Sequence, residues 1–146
     1  MGWVDDLLGK TVSVDTSPLI FFIEEHPTFG PVLDPFFEAV SRGEIQIVTS
    51  AVALLEVLVH PLRLNDEPLA QRYNDILLSS PNISTISVTP LTAQVAAELR
   101  AASNLKAPDA IHLATAITQH ADAFLTNDRD FGSIVKVPIL KVRDLA

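Results

Sequence analysis

Thr11–Glu25 reads TVSVDTSPLIFFIEE, and how this stretch is divided decides the fold. Thr11 to Asp15 is rich in β-formers and follows a glycine closely, which predicts a first strand. Ser17-Pro18 then marks a helix start, with Ser17 as N-cap and Pro18 as the first helical residue. That helix is expected to run through LIFFIEE and to stop before Pro27. The same passage from strand to helix recurs down the chain. Ile45–Thr49 is a short strand, and Ser50 caps a helix AVALLEVLV that ends by Pro61. Ile83–Val88 alternates as a strand, and Thr89-Pro90 opens a helix through LTAQVAAELRAA. Ala123–Thr126 and Val137–Val142 are the remaining strands. Further helices are expected over Phe29–Gly43, with Gly43 as its stop, over Asp66–Ser79, and from Lys106 through KAPDAIHLATA. Strands alternating with helices imply an α/β domain with a mainly parallel sheet covered by helices.

The 146 residues suffice for one compact domain, expected to span 1–146, with no repeat or linker. A hydrophobic content of 48% and a mean hydropathy of +0.31 exclude a disordered chain. No apolar run reaches the length of a membrane span, and MGWVDDLLGK lacks the layout of a secretion signal, so a cytoplasmic protein without membrane association is expected. Cysteine is absent, which removes disulfides, thiolate metal sites and a cysteine nucleophile. The net charge of −8 and pI near 4.7 argue against nucleic-acid binding through a generally basic surface. They leave room for an acidic site that holds divalent cations.

Four acids occupy unusual places. Asp15 ends the first strand, at the edge where parallel α/β sheets form their ligand crevice. Asp128 follows the strand AFLT after Asn127, at the same edge if that strand runs parallel to the first. Glu56 interrupts an apolar helix, on a stripe with Val52, Leu55 and Val59 that is expected to face inward. Asp109 lies in the first turn of its helix, just after Pro108. Taken singly, each has an ordinary reading: a turn or cap at Asp15 and Asp128, the rim of an apolar face at Glu56, a dipole partner at Asp109. Gathered in one crevice, they repel one another, and hard divalent cations with oxygen ligands relieve that repulsion. Mg²⁺ or Mn²⁺ is the expected occupant.

The runs VDTSPLI, SAVALLEVL, KAPDAIHLATA and FLTNDRDF, in this order, resemble the PIN-domain ribonucleases, in particular the VapC-type toxins of toxin–antitoxin pairs. The resemblance extends from about Val12 to the end, and PDAIHLATA followed by TND is its most specific part. It implies a PIN-like three-layer α/β/α fold and a metal-dependent endoribonuclease acting on single-stranded or structured RNA. It also implies an antitoxin partner and a homodimer. Position by position, Asp15, Glu56, Asp109 and Asp128 would be the catalytic quartet that binds Mg²⁺ or Mn²⁺, with Asp15 and Asp109 as the direct ligands. Thr16 matches the small polar residue after the first acid, and Thr126 or Asn127 the one before the last.

Other residues have plainer expectations. His112 reads as a packed or hydrogen-bonded helix histidine, since hard ions prefer oxygen. His26, His60 and His120 sit at expected helix ends. Asp130 reads as a turn or N-cap residue before Phe131-Gly132. Arg129 is open between a phosphate and Asp128 as partner. Arg100 and Lys106 flank the site in sequence and are candidates for contact with an RNA backbone, or else a solvated helix face. Phe21, Phe22, Phe36 and Phe37 fill the core, with surplus for a dimer or antitoxin surface. Two other classes compete: a PIN-like scaffold that binds RNA or protein without cutting, and an unrelated phosphoryl-transfer domain with Asp15 as nucleophile. A haloacid-dehalogenase-like enzyme would want a second Asp two residues on, where Ser17 stands.

Overall fold

The computed structural model describes residues 2–131 and 136–146, without the side chain of Asp130. Five strands appear among the described residues: β1 (Thr11–Val14), β2 (Gln46–Ser50), β3 (Ile83–Ile86), β4 (Ala123–Thr126) and β5 (Ile139–Lys141). Six helices accompany them: α1 (Thr16–Ile23), α2 (Phe29–Ser41), α3 (Ala51–Arg63), α4 (Glu67–Ser79), α5 (Pro90–Ala101) and α6 (Ala107–Thr118). All strand pairs are parallel and the sheet order is β3-β2-β1-β4-β5. The chain therefore builds outward from β1 through β2 to β3, then returns to lay β4 and β5 on the other flank. The reversal falls between β1 and β4, where open α/β sheets leave a crevice at the strands' carboxyl ends.

Strand β4 shows how the layers form. All of AFLT is buried, as a strand covered on both faces must be. Ala123 and Leu125 pack into the core that α1 to α4 share with β1 to β3, whereas Phe124 joins Leu113, Ala114 and Leu99 beneath α5 and α6. The result is three layers, α/β/α. Ahead of β1, a 3-10 turn at Asp5–Leu7 buries Leu7, and Trp3 stacks on Phe36 at 5.5 Å. No helix among the described residues is long and apolar enough to cross a membrane.

Four local expectations need correction. Helix α1 starts at Thr16 with Asp15, not Ser17, as its N-cap. Pro18 lies two positions deeper than expected, at no cost in backbone bonds, because the first four N–H groups of a helix have no partner within it. Helix α3 runs past Pro61 to Arg63. Pro61 is buried in its last turn, and Leu64 N–H closes on His60 O beyond it. Its buried residues are Ala53, Val57 and Pro61, so Leu55, expected inward, is 61% exposed. A helix this apolar offers more than one face to bury, and periodicity does not choose between them. Finally, β5 is shorter than Val137–Val142 because a 3-10 turn takes over at Val142.

Candidate active site

Asp15 is placed by two elements at once. Its N–H bonds Leu125 O, continuing the β1–β4 pairing by one residue. Its carboxylate then turns back over the start of α1: Oδ1 accepts from Thr16 N–H at 2.7 Å, and Oδ2 accepts from the Thr126 hydroxyl at 2.7 Å. Thr126 Oγ1 in turn accepts from Asp128 N–H at 3.0 Å, so the last strand residue ties both aspartates to the switch point. Asp15 is only 6% exposed. Burial raises its pKa, against the lowering effect of His112 and of its two hydrogen bonds.

Glu56 reaches the same place from α3. Its Oε1 accepts from the Thr16 hydroxyl at 2.8 Å and lies 2.6 Å from His112 Nε2. The bond to His112 pulls the Glu56 pKa down, against partial burial. His112 is fully enclosed on α6, with Nδ1 2.9 Å from Ser50 Oγ and Nε2 3.7 Å from Asp15 Oδ1. Burial disfavours its charged form, but the Glu56 bond and the charges of Asp15, Glu56 and Asp109 outweigh this and raise its pKa. Since a carboxylate only accepts, Nε2 carries a proton. His112 is thus the hydrogen-bonded helix histidine expected from sequence, and it holds Glu56 in place.

Asp109 overhangs from the first turn of α6. That helix is pressed to the sheet by Ala110, Leu113 and Ala114, all fully buried, which fixes where its first turn ends. The Asp109 pKa is raised to about 6, first by burial and then by the charges of Asp15 and Asp128. Asp15, Glu56, Asp109 and Asp128 all line one open pocket of about 610 Å³, together with Thr16, Ser17, Ile20, Asn127, Arg129 and Arg143. Of the two expected small polar residues, Asn127 lines this pocket and Thr126 is buried beneath it. The side chain of Asp130 and its neighbour Gly132 lie outside the described residues.

Two basic residues named from sequence, as RNA contacts or as a solvated helix face, lie away from the pocket. Arg100 and Lys106 do not line the pocket: Arg100 Nε bonds Leu105 O at 3.1 Å and Lys106 is the exposed N-cap of α6. The cations at the pocket are Arg129 and Arg143. Arg143 escaped notice because nothing near it in sequence marks a site; it arrives through the parallel pairing of β5 with β4.

The four acids offer carboxylate oxygens that suit a hard divalent ion, and burial, then the nearby charges, makes Asp109 resist ionisation. Among the described residues, no three His, Asp or Glu side chains are already drawn together in ligating geometry. An ion bound here would have to gather them, which an open pocket permits.

The PIN domain family model matches residues 12–137. The chain belongs to the PIN-domain family. Solved structures share the PIN fold at low identity. VapBC2 from Rickettsia felis, bound to a promoter DNA fragment, superimposes with a TM-score of 0.71 at 19% identity, covering 90% of this chain and 98% of that one. The sarcin-ricin loop cleaving toxin VapC20 from Mycobacterium tuberculosis gives 0.68 at 19% identity, covering 86% and 96%. FitAcB from Neisseria gonorrhoeae gives 0.68 at 17% identity, covering 92% and 99%. A comparison with curated proteins gave no match. In this PIN domain the four acids named from sequence line one pocket.

Proposed function

We propose that this PIN domain is a divalent-metal-dependent endoribonuclease, the toxin of a toxin–antitoxin pair. The observation that carries the reading is the convergence of Asp15, Glu56, Asp109 and Asp128 on one pocket at the switch point of the sheet, with the Asp109 pKa raised to about 6 by burial and then by its neighbours. Asp15 and Asp109 would hold Mg²⁺ or Mn²⁺ directly, and Glu56 and Asp128 directly or through water. A bound ion supplies Lewis acidity toward water and phosphate oxygens. The chain's own residues prepare the place: Thr16 and Thr126 orient the Asp15 carboxylate, and His112 with Thr16 holds Glu56 toward the pocket. None of the four has to serve as a proton-transfer base.

The structural neighbours described as toxin–antitoxin complexes, and the one described as a loop-cleaving toxin, support an RNA substrate, an antitoxin partner and a cytoplasmic setting. A second groove of about 270 Å³, lined by Phe22, Phe37, Val40, Ile76 and Ile83, has the apolar character that an amphipathic antitoxin helix would fill. The test is cleavage of labelled single-stranded RNA with Mg²⁺ or Mn²⁺, then with EDTA, beside Asp15→Asn and Asp109→Asn variants that fold. Cleavage is expected only in wild type with metal, with a loss of about 10³-fold or more in each variant. Cleavage that survives EDTA or either substitution would remove the metal-site assignment. Failure to cut a broad RNA panel would favour the scaffold reading.

A further inference from the structure

The pocket holds four carboxylates, and its substrate is itself an anion. On the nuclease reading, something at the pocket must receive the phosphate charge of the RNA backbone. We infer that Arg143 is a substrate-binding residue that holds a backbone phosphate beside the acidic floor, and that Asn127 is the residue that positions it.

The way Arg143 is held points to this role. Its backbone N–H donates to Asn127 Oδ1 at 3.0 Å, its Nε donates to the same oxygen at 3.2 Å, and Nη2 donates to Asn127 O. Every one of these acceptors is neutral. The guanidinium is therefore aimed without being discharged. Among the described residues no carboxylate pairs with it, although four line the same pocket. A guanidinium has five N–H donors. With Nε and one Nη2 proton engaged, the second Nη2 proton and the Nη1 proton parallel to it remain as the end-on fork, which suits the two non-bridging oxygens of a phosphodiester.

Its distance from the acids is fixed as well. Asn127 lies between Thr126, which is bonded to Asp15, and Asp128. A displacement of the guanidinium would have to drag the segment that anchors two of the four carboxylates. Arg143 is half-buried, where a charge acts more strongly than on the open surface. Arg129, the other cation of the pocket, is exposed and has no such holder among the described residues. At about 610 Å³ the pocket takes more than a lone phosphate, so a contact on one wall and metal-binding acids on the other can be occupied together.

A purely structural Arg143, fastening the chain end to Asn127, would leave a different trace. The test uses the full chain with labelled single-stranded RNA over a range of salt, comparing wild type with Arg143→Gln, Arg143→Lys and Asn127→Ala. kcat and KM are taken separately with Mg²⁺, and equilibrium binding is measured in EDTA. Arg143→Gln is expected to raise KM about tenfold, the loss of one charge-assisted contact. It should flatten the slope of log K against log salt by about 0.7, one phosphate contact on a single strand. Arg143→Lys should restore the slope and part of KM, and Asn127→Ala should fall between. An unchanged KM and salt slope in Arg143→Gln, with only kcat or melting temperature lowered, would overturn the inference and leave the nuclease reading standing. If wild type cuts no RNA, the nuclease reading fails by itself, and the EDTA binding arm decides on Arg143: weaker binding with the flatter salt slope in Arg143→Gln upholds the contact, and equal binding with an equal slope removes it.

Discussion

Asp109 resists ionisation in the pocket, and this has a consequence for stability. Its folded pKa of about 6 stands above the ordinary 3.8 because burial and the neighbouring carboxylates oppose its charge. Well below pH 3.8 the group is protonated whether the chain is folded or not. As pH rises toward 6 the unfolded chain releases the proton first, so the folded state loses relative stability until the native group has ionised too. At pH 8, without metal, Asp109→Asn should therefore melt higher than wild type by about 1 kcal/mol, the two-unit shift discounted for solvent screening at a half-exposed site. At pH 5 the advantage should shrink. Mg²⁺ should reverse the order at pH 8, since only wild type gains binding energy. Thermal melts in EDTA at the two pH values check it; a variant no more stable than wild type at pH 8 would mean the carboxylates do not repel as the pocket implies. The four acids were legible in sequence because an acid at a strand end or within an apolar run is out of place. The bond between His112 and Glu56 was not, because it depends on where α3 and α6 come to rest on the sheet.

At the scale of elements, two helix caps do double duty. Asp15 caps α1 and Ser50 caps α3, each at the carboxyl end of a strand in the middle of the sheet. Ser50 Oγ accepts from Ala53 N–H at 3.2 Å and also meets His112 Nδ1 at 2.9 Å, both out of contact with solvent. One hydroxyl thus sets the start of α3 and the ring that holds Glu56. Ser50→Ala should cost about 1–2 kcal/mol in denaturant unfolding, with Ser50→Thr close to wild type because the hydroxyl is kept. Equal stability of wild type and Ser50→Ala would show that the cap is replaced by water. Caps were the most readable feature of these elements: Ser50, Asp66 and Thr89 all accept from a backbone N–H of the helix they were expected to begin. At α1 both Asp15 and Ser17 were competent caps, and sequence leaned on Pro18 as first helical residue. The strand pairing decided for Asp15, since its N–H is already committed to β4. The same kind of long-range pairing brought Arg143 to the pocket from beyond β5, with no local pattern to announce it.

Apart from the groove beside Phe22, an apolar stripe lies uncovered among the described residues on the helix that carries Glu56. Phe36 and Phe37 are buried and Phe22 stacks on Phe37 at 3.9 Å, so the surplus expected of the phenylalanines is mostly consumed inside. Leu55 and Leu62, two turns apart on one side of α3, are instead 61% and 59% exposed. Between them Val59 is half-buried, which makes the stripe continuous. A second copy of the chain, its α3 laid on the first across a two-fold axis, would cover this stripe on both at once. The homodimer that the family resemblance implies is thus expected to form here. Each copy carries a net charge of −8, so like charge opposes the pairing and the contact must be apolar at its centre. Salt should consequently tighten the dimer by screening that repulsion, the reverse of its effect on RNA binding. Sedimentation across protein concentration and salt should show a dimer in wild type, stronger at high salt, and a monomer for Leu55→Glu with Leu62→Glu. Both side chains already face water in the single chain, so the doubly substituted monomer should fold, melting below wild type only by what dimerisation adds at the concentration used. A wild type that stays monomeric at every salt and concentration would sink the interface, and α3 would then carry its leucines outward without a partner of its own kind.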